Sequence, residues 1–398
     1  MRVAHVITRM IIGGAQENTL FNCTDLVEQY GDEVLLITGP ALGPEGDLLT
    51  RAGLQYGQSR AGELAIELLP NLRRNIHPIY DWKAIKEIRR SLKRFRPDVV
   101  HTHSAKGGLL GRRVAWSLGV PAVIHSVHGA PFHEFQPRLA REFFRRCERW
   151  AAKRCHRMIC VADAMTDLMT QADVAPRDKF TTIYSGMDVE PFLTSNTHRA
   201  EIRARFGFEE GHVVIGKIAR LFHLKGHDDL ITAAKRVTDR FPQTRFLLVG
   251  DGILRERLQV RIDSLGMSQH FVFAGLVSPS EVPRLIGGMD ALVHTSYREG
   301  LARALPQALI AGKPAVSYDV DGAREVIHSG ETGFLIPPRD TDGLADALGQ
   351  LVASQPLRDR LGGEGRQRYT EQFRHQTMTR RIRDVYRETL AETTEAKP

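Results

Sequence analysis

The sequence predicts an α/β protein of two domains, each built on its own parallel sheet, and three observations carry that expectation. The chain has 398 residues, more than one ordinary core, since domains usually hold roughly 100 to 200 residues. Short apolar runs alternate with longer helical patterns, the βαβ rhythm of a parallel sheet. That rhythm starts afresh in the second half, so each half builds its own sheet.

The first set of runs is VAHVI (3 to 7), EVLLIT (33 to 38), DVVHT (98 to 102), AVIHSV (122 to 127) and RMICVA (157 to 162). The second is VVIGKIA (213 to 219), FLLVG (246 to 250), FVFAG (271 to 275), ALVHT (291 to 295), PAVSY (314 to 318) and FLIP (334 to 337). Between them, SGMDVEPFLTSNTH (185 to 198) has the Gly, Pro, Ser and Asn content of a connection. The expected division is therefore residues 1 to 190, residues 191 to 375, and a closing charged helix within residues 376 to 398. The tail from residue 391 onward is expected to fray.

Composition narrows the class. Hydrophobic residues at 42% and charged residues at 26% suit a globular protein rather than a disordered or fibrous one. Cys23, Cys147, Cys155 and Cys160 form no CxxC pair or regular framework, which points to a reducing compartment. No run approaches the roughly 18 apolar residues of a membrane span, and His5 and Arg9 interrupt the apolar opening, unlike a signal peptide. A cytoplasmic location is expected. The net charge of +8 alone admits nucleic acid, phosphorylated ligands or an anionic membrane surface as partners. Its distribution is uneven, because residues 138 to 157 carry eight Arg or Lys against two Glu.

The most informative stretch is YREGLARALPQALIAGKPAVSYDVDGAREVI, residues 297 to 327. It reads as a strand end, a loop containing Glu299, Gly300 and Leu301, a helix from about 302 to 311, and a further strand. Amides at a helix start favour a pyrophosphate, and glycine lets the backbone approach it. A carboxylate at Glu299 is suited to accept hydrogen bonds from sugar hydroxyls, and the Gln307 amide, two turns on, is suited to a ribose. The bland reading is an acid favouring the helix dipole beside a solvated glutamine.

In GKIARLFHLKGHDDLITAA, residues 216 to 234, Arg220 follows a strand and Lys225-Gly226 precedes a helix. Cations at the carboxyl edge of a parallel sheet suit an anionic leaving group, although most basic loop residues are merely solvated. In the first half, Gly13-Gly14-Ala15 follows the first strand, His101 and His103 come at the close of DVVHT, and His128-Gly129 follows AVIHSV, all expected at strand ends. HTH with HSVH invites a zinc reading, but no acidic ligand or HExxH accompanies it. Neither GxGxxG nor GxxxxGK[ST] occurs.

Two basic helices carry apolar stripes, Trp82, Ile85, Ile88, Leu92 and Phe95 in one and Leu139, Phe143, Cys147 and Trp150 in the other. Packing of both stripes on the sheet is the simpler expectation, and contact of their arginines with anionic lipid the sharper one.

Taken together, these residues resemble the large retaining glycosyltransferase family 4, the "glycosyl transferases group 1" type with the GT-B fold, over nearly the whole chain. The marks are Arg220 with Lys225, Glu299 in a Glu-x7-Glu frame, and IYSGMDVEPF in place of the usual Asn-Gly-Val-Asp hinge segment. HVITRMIIGGAQ, with HTHSAKGGLLGRRVAWSLGVPAVIHSVHGAPFH, is similar to members that build lipid-linked surface polysaccharides.

The resemblance implies two Rossmann-like domains facing across a cleft, an N-terminal one for the acceptor and a C-terminal one for the nucleotide sugar. It implies that Arg220 and Lys225 bind the donor diphosphate and that Glu299 holds the transferred sugar. Gly14, Gly250, Gly300, Leu301 and Gln307 would lie along the donor, Gly13 and His103 on the acceptor side, and His128 at the reacting sugar. No metal or other cofactor is implied, and the final helix usually crosses back to the N-terminal domain. Gln307 stands where the family places its second Glu, just after Pro306, a poor helix former. Gln can bond a diol but lacks the charge.

The expected activity is retaining transfer of a sugar from a UDP- or GDP-sugar to a lipid-linked saccharide, at the inner face of a membrane and without a nucleic-acid partner. The alternatives are a GT-B nucleotide-sugar 2-epimerase and a non-catalytic nucleotide-sugar-binding protein.

Overall fold

The computed structural model describes residues 1–42, 46–54, 64–133 and 136–395, which fall into two units, Met1–Met187 with Phe373–Pro398, and Asp188–Gln372. The first unit holds β1 (Arg2–Arg9), β2 (Glu33–Gly39), β3 (Ala65–Leu68), β4 (Val99–His103), β5 (Ala122–Val127), β6 (Arg157–Cys160) and β7 (Phe180–Thr182). All pair in parallel, in the order β3-β2-β1-β4-β5-β6-β7. The central strands are buried almost throughout, as a parallel sheet covered on both faces requires, which is why β1 and β5 read as mostly apolar runs in which even His5, His125 and Ser126 are buried. The strands absent from the sequence reading, β3 and β7, are the two edges, only four and three residues long.

The second unit holds β8 (Val213–Ile218), β9 (Thr244–Val249), β10 (Phe271–Gly275), β11 (Ala291–His294), β12 (Ala315–Tyr318) and β13 (Gly333–Ile336), again all parallel, in the order β10-β9-β8-β11-β12-β13. In both sheets the order reverses direction beside the first strand, between β1 and β4 and between β8 and β11. Loops leaving the carboxyl ends of two such strands diverge to opposite sides and open a crevice, where ligands of open α/β sheets bind.

The final helix, His375–Glu395, packs on the Gly14–Glu28 helix of the first unit. Asp25, 2% exposed, accepts hydrogen bonds from His375 Nδ1 and Thr379 Oγ1, both at 2.8 Å, and Arg383 pairs with Asp32 at 2.9 Å. Of the tail expected to fray, residues 391–395 are helical, and residues 396–398 lie outside the described residues.

One amphipathic helix departs from the simpler expectation. In Pro78–Phe95, Ile88 and Leu92 are buried as expected and Trp82 is exposed. In Arg138–Ala152, however, Leu139 is 88% exposed, Phe143 53% and Trp150 39%, while the buried positions are Glu148, Ala151 and Ala152. Small side chains let this helix sit close, and Glu148 is buried because Arg112, itself fully buried, meets it at 2.9 Å. An unpaired carboxylate there would be costly.

Candidate active site

The switch point of the second sheet is built by the loops after β8 and β11. After β8 the chain passes Arg220 and reaches Leu224 (φ 67) and Gly226 (φ 60), two left-handed residues bracketing Lys225. A Cβ at Gly226 would lie 1.9 Å from the Thr295 carbonyl oxygen, so only glycine fits. Thr295, just past β11, donates through Oγ1 to the Gly226 carbonyl at 2.7 Å, and Tyr297 donates its amide to the Leu224 carbonyl at 2.9 Å. The two loops are thus laced together, and their side chains meet: Lys225 Nζ donates to Glu299 Oε1.

Glu299 is held from behind as well. Its amide donates to Asp321 Oδ2 at 2.6 Å, and the Gly300 carbonyl accepts from the Gly322 amide at 3.0 Å. His294 Nε2, from the buried end of β11, lies 3.6 Å from Glu299 Oε1. Burial alone would raise the Glu299 carboxyl, but the His294 ring and the Lys225 charge bring it from 4.5 down to about 2. It is a carboxylate at any physiological pH.

Arg220 is exposed, and its guanidinium makes no ion pair or hydrogen bond among the described residues, lying 5.1 Å from the Phe222 ring centroid. Its backbone is fixed: the carbonyl shares a 3.0 Å hydrogen bond with His227 Nε2, and Leu221 donates its amide to the Asp251 carbonyl at 2.9 Å. Gly250 makes that approach feasible, since a Cβ there would lie 2.2 Å from the Ala219 carbonyl oxygen and its φ is 129. The contact seen for Gly250 is therefore backbone packing under the Arg220 loop.

The helix after Glu299 is Ala304–Ile310, shorter than the sequence suggested. Pro306 is tolerated because it lies in the first turn, where backbone N–H groups lack helical acceptors anyway. Gly300, Leu301 and Gln307 are half-buried, and the side-chain amide of Gln307 has no hydrogen bond among the described residues.

Lys217 was not singled out from the sequence, although a lysine inside the apolar run VVIGKIA is itself a signal. It is 1% exposed and donates to Thr295 Oγ1 at 2.7 Å. Burial, then the neighbouring Lys225 charge, bring its amine from 10.5 down to about 7. His294 and Asp321 were equally unread, one sitting in an apolar strand and the other lying 22 residues beyond Glu299.

In the first unit, Gly13 caps the Gly14–Glu28 helix with extended backbone, φ 175, and Gly14 opens its first turn. His128 is half-buried after β5, its Nε2 3.1 Å from His103 Nδ1. His103 Nε2 in turn lies 3.0 Å from His5 Nδ1. The sequence reading set His101 and His103 at a ligand-facing strand end: His103 is the last residue of β4, but neither ring is exposed. Both rings are wholly buried within β4, and His101 shares hydrogen bonds with Tyr386 at 2.5 Å and Ser126 at 2.8 Å. His103 is joined to the half-buried His128 by the contact above. Burial keeps His5, His101 and His103 neutral, and their nitrogens lie within 4.8 Å of one another, close enough to hold a metal ion in principle, although most are engaged in the hydrogen bonds above.

Comparison with known proteins adds identity to this geometry. The family described as Glycosyltransferase Family 4 matches residues 13–191, and Glycosyl transferases group 1 matches residues 198–368. The chain is 27% identical to the UDP-Gal:alpha-D-GlcNAc-diphosphoundecaprenol alpha-1,3-galactosyltransferase of Escherichia coli, over 90% of this chain and 89% of that one. It is 28% identical to the 2-deoxystreptamine N-acetyl-D-glucosaminyltransferase of Streptomyces fradiae, over 86% and 83%. Among solved structures, Anabaena HepE in complex with UDP superposes with a TM-score of 0.80 at 21% identity, covering 98% of this chain and 100% of that one. The sucrose-phosphate synthase of Thermosynechococcus elongatus does so at 0.82 and 17%, covering 98% and 100%. At those identities the superpositions speak for the fold, and the family matches, which take in both units, for the rest: the chain belongs to glycosyltransferase family 4, the glycosyl transferases group 1 type with the GT-B fold.

Proposed function

We propose that this glycosyltransferase moves a sugar, with retention of anomeric configuration and without a metal ion, from a nucleoside diphosphate donor to a saccharide carried on a lipid diphosphate. The observation that carries the donor half is the Lys225–Glu299 pair together with an Arg220 guanidinium that makes no ion pair or hydrogen bond among the described residues. One carboxylate and two cations at a sheet switch point match the parts of a nucleotide sugar: hydroxyls for Glu299, phosphate oxygens for Arg220 and Lys225. The second unit takes the donor, with Gly250, Gly300, Leu301 and Gln307 along it, and the first unit takes the acceptor, with Gly13, Gly14 and His128 at the reacting sugar. The E. coli relative, which acts on a diphosphoundecaprenol-linked sugar, supports the lipid diphosphate, and that relative and HepE support a uridine nucleotide.

In the reaction the bond from the anomeric carbon to the diphosphate oxygen breaks, and its electron pair leaves with the diphosphate. The acceptor hydroxyl forms the new bond on the same face and passes its proton to the departing phosphate oxygen. Arg220 and Lys225 meet charge that grows on the leaving group, which is where a fixed cation accelerates most. Lys225 exchanges Glu299 for phosphate as donor arrives, and the freed carboxylate turns to the sugar.

The enzyme works at the anionic inner face of a membrane, supported by the exposed Leu139, Phe143 and Trp150 among arginines; among the described residues no helix is long and apolar enough to cross a bilayer. The test is incubation of UDP- and GDP-sugars with and without a short-chain lipid-diphosphate saccharide, with and without EDTA, assigning the product anomer by NMR. An inverted product, or loss of transfer in EDTA, overturns the corresponding part. A donor isomerised without acceptor identifies an epimerase, and no turnover of any donor a binding protein.

A further inference from the structure

We propose that a continuous groove in the first unit, between the Ala105–Ser117 and Arg138–Ala152 helices, holds the isoprenoid diphosphate of the acceptor; this rests on the lipid-linked reading above and locates it. The groove starts at the switch point of the first sheet, where Thr8, Gln16 and Ser104 line a pocket of about 550 Å³. It continues into a second hollow of about 300 Å³ that shares Leu109, Leu110, Phe143 and Cys147 with the first.

Polarity changes along its length. The inner end carries hydroxyl and amide groups beside the Gly13-Gly14 turn, suited to a sugar. Arg9, Arg74 and Lys106 line the same pocket, and Arg113 and Arg146 flank the outer hollow, five cations against two lining carboxylates, Asp81 and Glu148, with Arg146 also paired to Glu142 at 2.8 Å. Both acids are already engaged, Asp81 by Lys106 and Glu148 by Arg112. Arg74 and Arg113 are exposed, with no ion pair or hydrogen bond among the described residues. The outer wall is Leu109, Leu110, Phe143, Phe144, Cys147 and Trp150, of which Phe143 and Trp150 are left exposed, an unusual state for large apolar side chains gathered in one place. Sugar and diphosphate in the polar, cation-lined inner pocket and an alkyl chain along the outer wall fit these surfaces. A soluble acceptor would leave Arg113 and the exposed Phe143 and Trp150 of the outer wall without a partner.

Cys147 reports occupancy directly. It lines both hollows and is partly exposed, whereas Cys23, Cys155 and Cys160 are buried, so a maleimide should modify Cys147 alone. Farnesyl diphosphate at several times its Kd should slow that reaction about fivefold by simple occupancy. Inorganic pyrophosphate should leave the rate unchanged, and Arg74→Gln with Arg113→Gln should weaken the protection. Equal rates with and without farnesyl diphosphate overturn the proposal. So does equal protection by uncharged farnesol, which would mark a plain apolar patch. No turnover is needed for this readout, so failed protection in a protein that transfers sugar to a lipid diphosphate retires the groove alone, and protection stands for it whatever the donor proves to be.

Discussion

Lys225 and Glu299, separated by 74 positions in the chain, form an ion pair across the switch point of the second sheet, with side chains 20% and 24% exposed. In the proposed reaction the pairing holds both charges ready for a nucleotide sugar. It also spares the protein a half-buried carboxylate and ammonium standing alone.

Lys225→Ala should therefore lower turnover on the order of 100-fold, the usual cost of losing a preorganised charge partner. It should also raise the Glu299 carboxyl above its present value of about 2, because the Lys225 charge helps hold it there. Steady-state kinetics on any active donor checks the first outcome, and turnover near that of the wild type would place the diphosphate elsewhere.

Acid stability offers a separate measurement. A carboxyl depressed from 4.5 to about 2 in the folded state contributes stability that is full above 4.5 and is lost as pH falls toward 2. Glu299→Gln should thus flatten the acid limb of the unfolding curve in that window while severely impairing transfer. An acid limb identical to that of the wild type would show that the carboxyl has no depressed pKa.

Arg220→Ala separates activity from stability more sharply, since the guanidinium engages no charged or hydrogen-bonding partner among the described residues. Turnover should fall on the order of 100-fold with Tm nearly unchanged. Gly250→Ala should lower both: a Cβ 2.2 Å from the Ala219 carbonyl oxygen must push aside the loop that carries Arg220, costing about 1 to 3 kcal/mol. Differential scanning fluorimetry with kinetics on both variants distinguishes a ligand contact from its scaffold.

Gln307→Glu should be tolerated and should tighten nucleoside diphosphate binding several-fold, because a charged acceptor hydrogen-bonds roughly 1 kcal/mol more strongly than a neutral one. The Gln307 side-chain amide has no hydrogen bond to lose among the described residues. Calorimetric titration with UDP and GDP reads the change, and abolished binding would show that the position requires an amide or lies away from the ribose.

What could be read in advance follows from how each element is stabilised. All six strands of the second sheet are short apolar runs bounded by turn residues, so composition alone marks them. β3 and β7 are edge strands of four and three residues, too short for a periodic signal. Arg220, Lys225 and Glu299 were legible as charged positions after strands, yet their meeting was not. That β11 lies beside β8, skipping β9 and β10, is a property of the sheet and leaves no trace in spacing. His294 and Lys217 hide inside apolar strands for the same reason. The helix Arg138–Ala152 misled because its large apolar residues mark the outward face, while Ala151 and Ala152 make the inward contact.

That outward face carries the last prediction, reversible docking on anionic membranes. Arg145 pairs with Glu142 at 2.8 Å and Arg149 with Asp173 at 3.3 Å, so neither is a fully available cation. Arg138, Arg141 and Arg113 are exposed and make no ion pair among the described residues, and Leu139 stands 88% exposed beside the first two. Each basic residue near an anionic surface contributes about 1 kcal/mol, so Arg113, Arg138 and Arg141 with a few inserted apolar groups suffice for binding that reverses. It must weaken with salt, because the Debye length falls from about 10 Å at about 0.1 M to about 3 Å at about 1 M. Co-sedimentation with phosphatidylglycerol and phosphatidylcholine vesicles across a salt series should show pelleting with the first only. Changing Arg113, Arg138 and Arg141 together to Gln should remove most of it, and changing Arg145 and Arg149 should remove little. Equal pelleting with both vesicles, or a triple variant that binds like wild type, would mean that these arginines serve the groove or the solvent and that the lipid acceptor is delivered without docking.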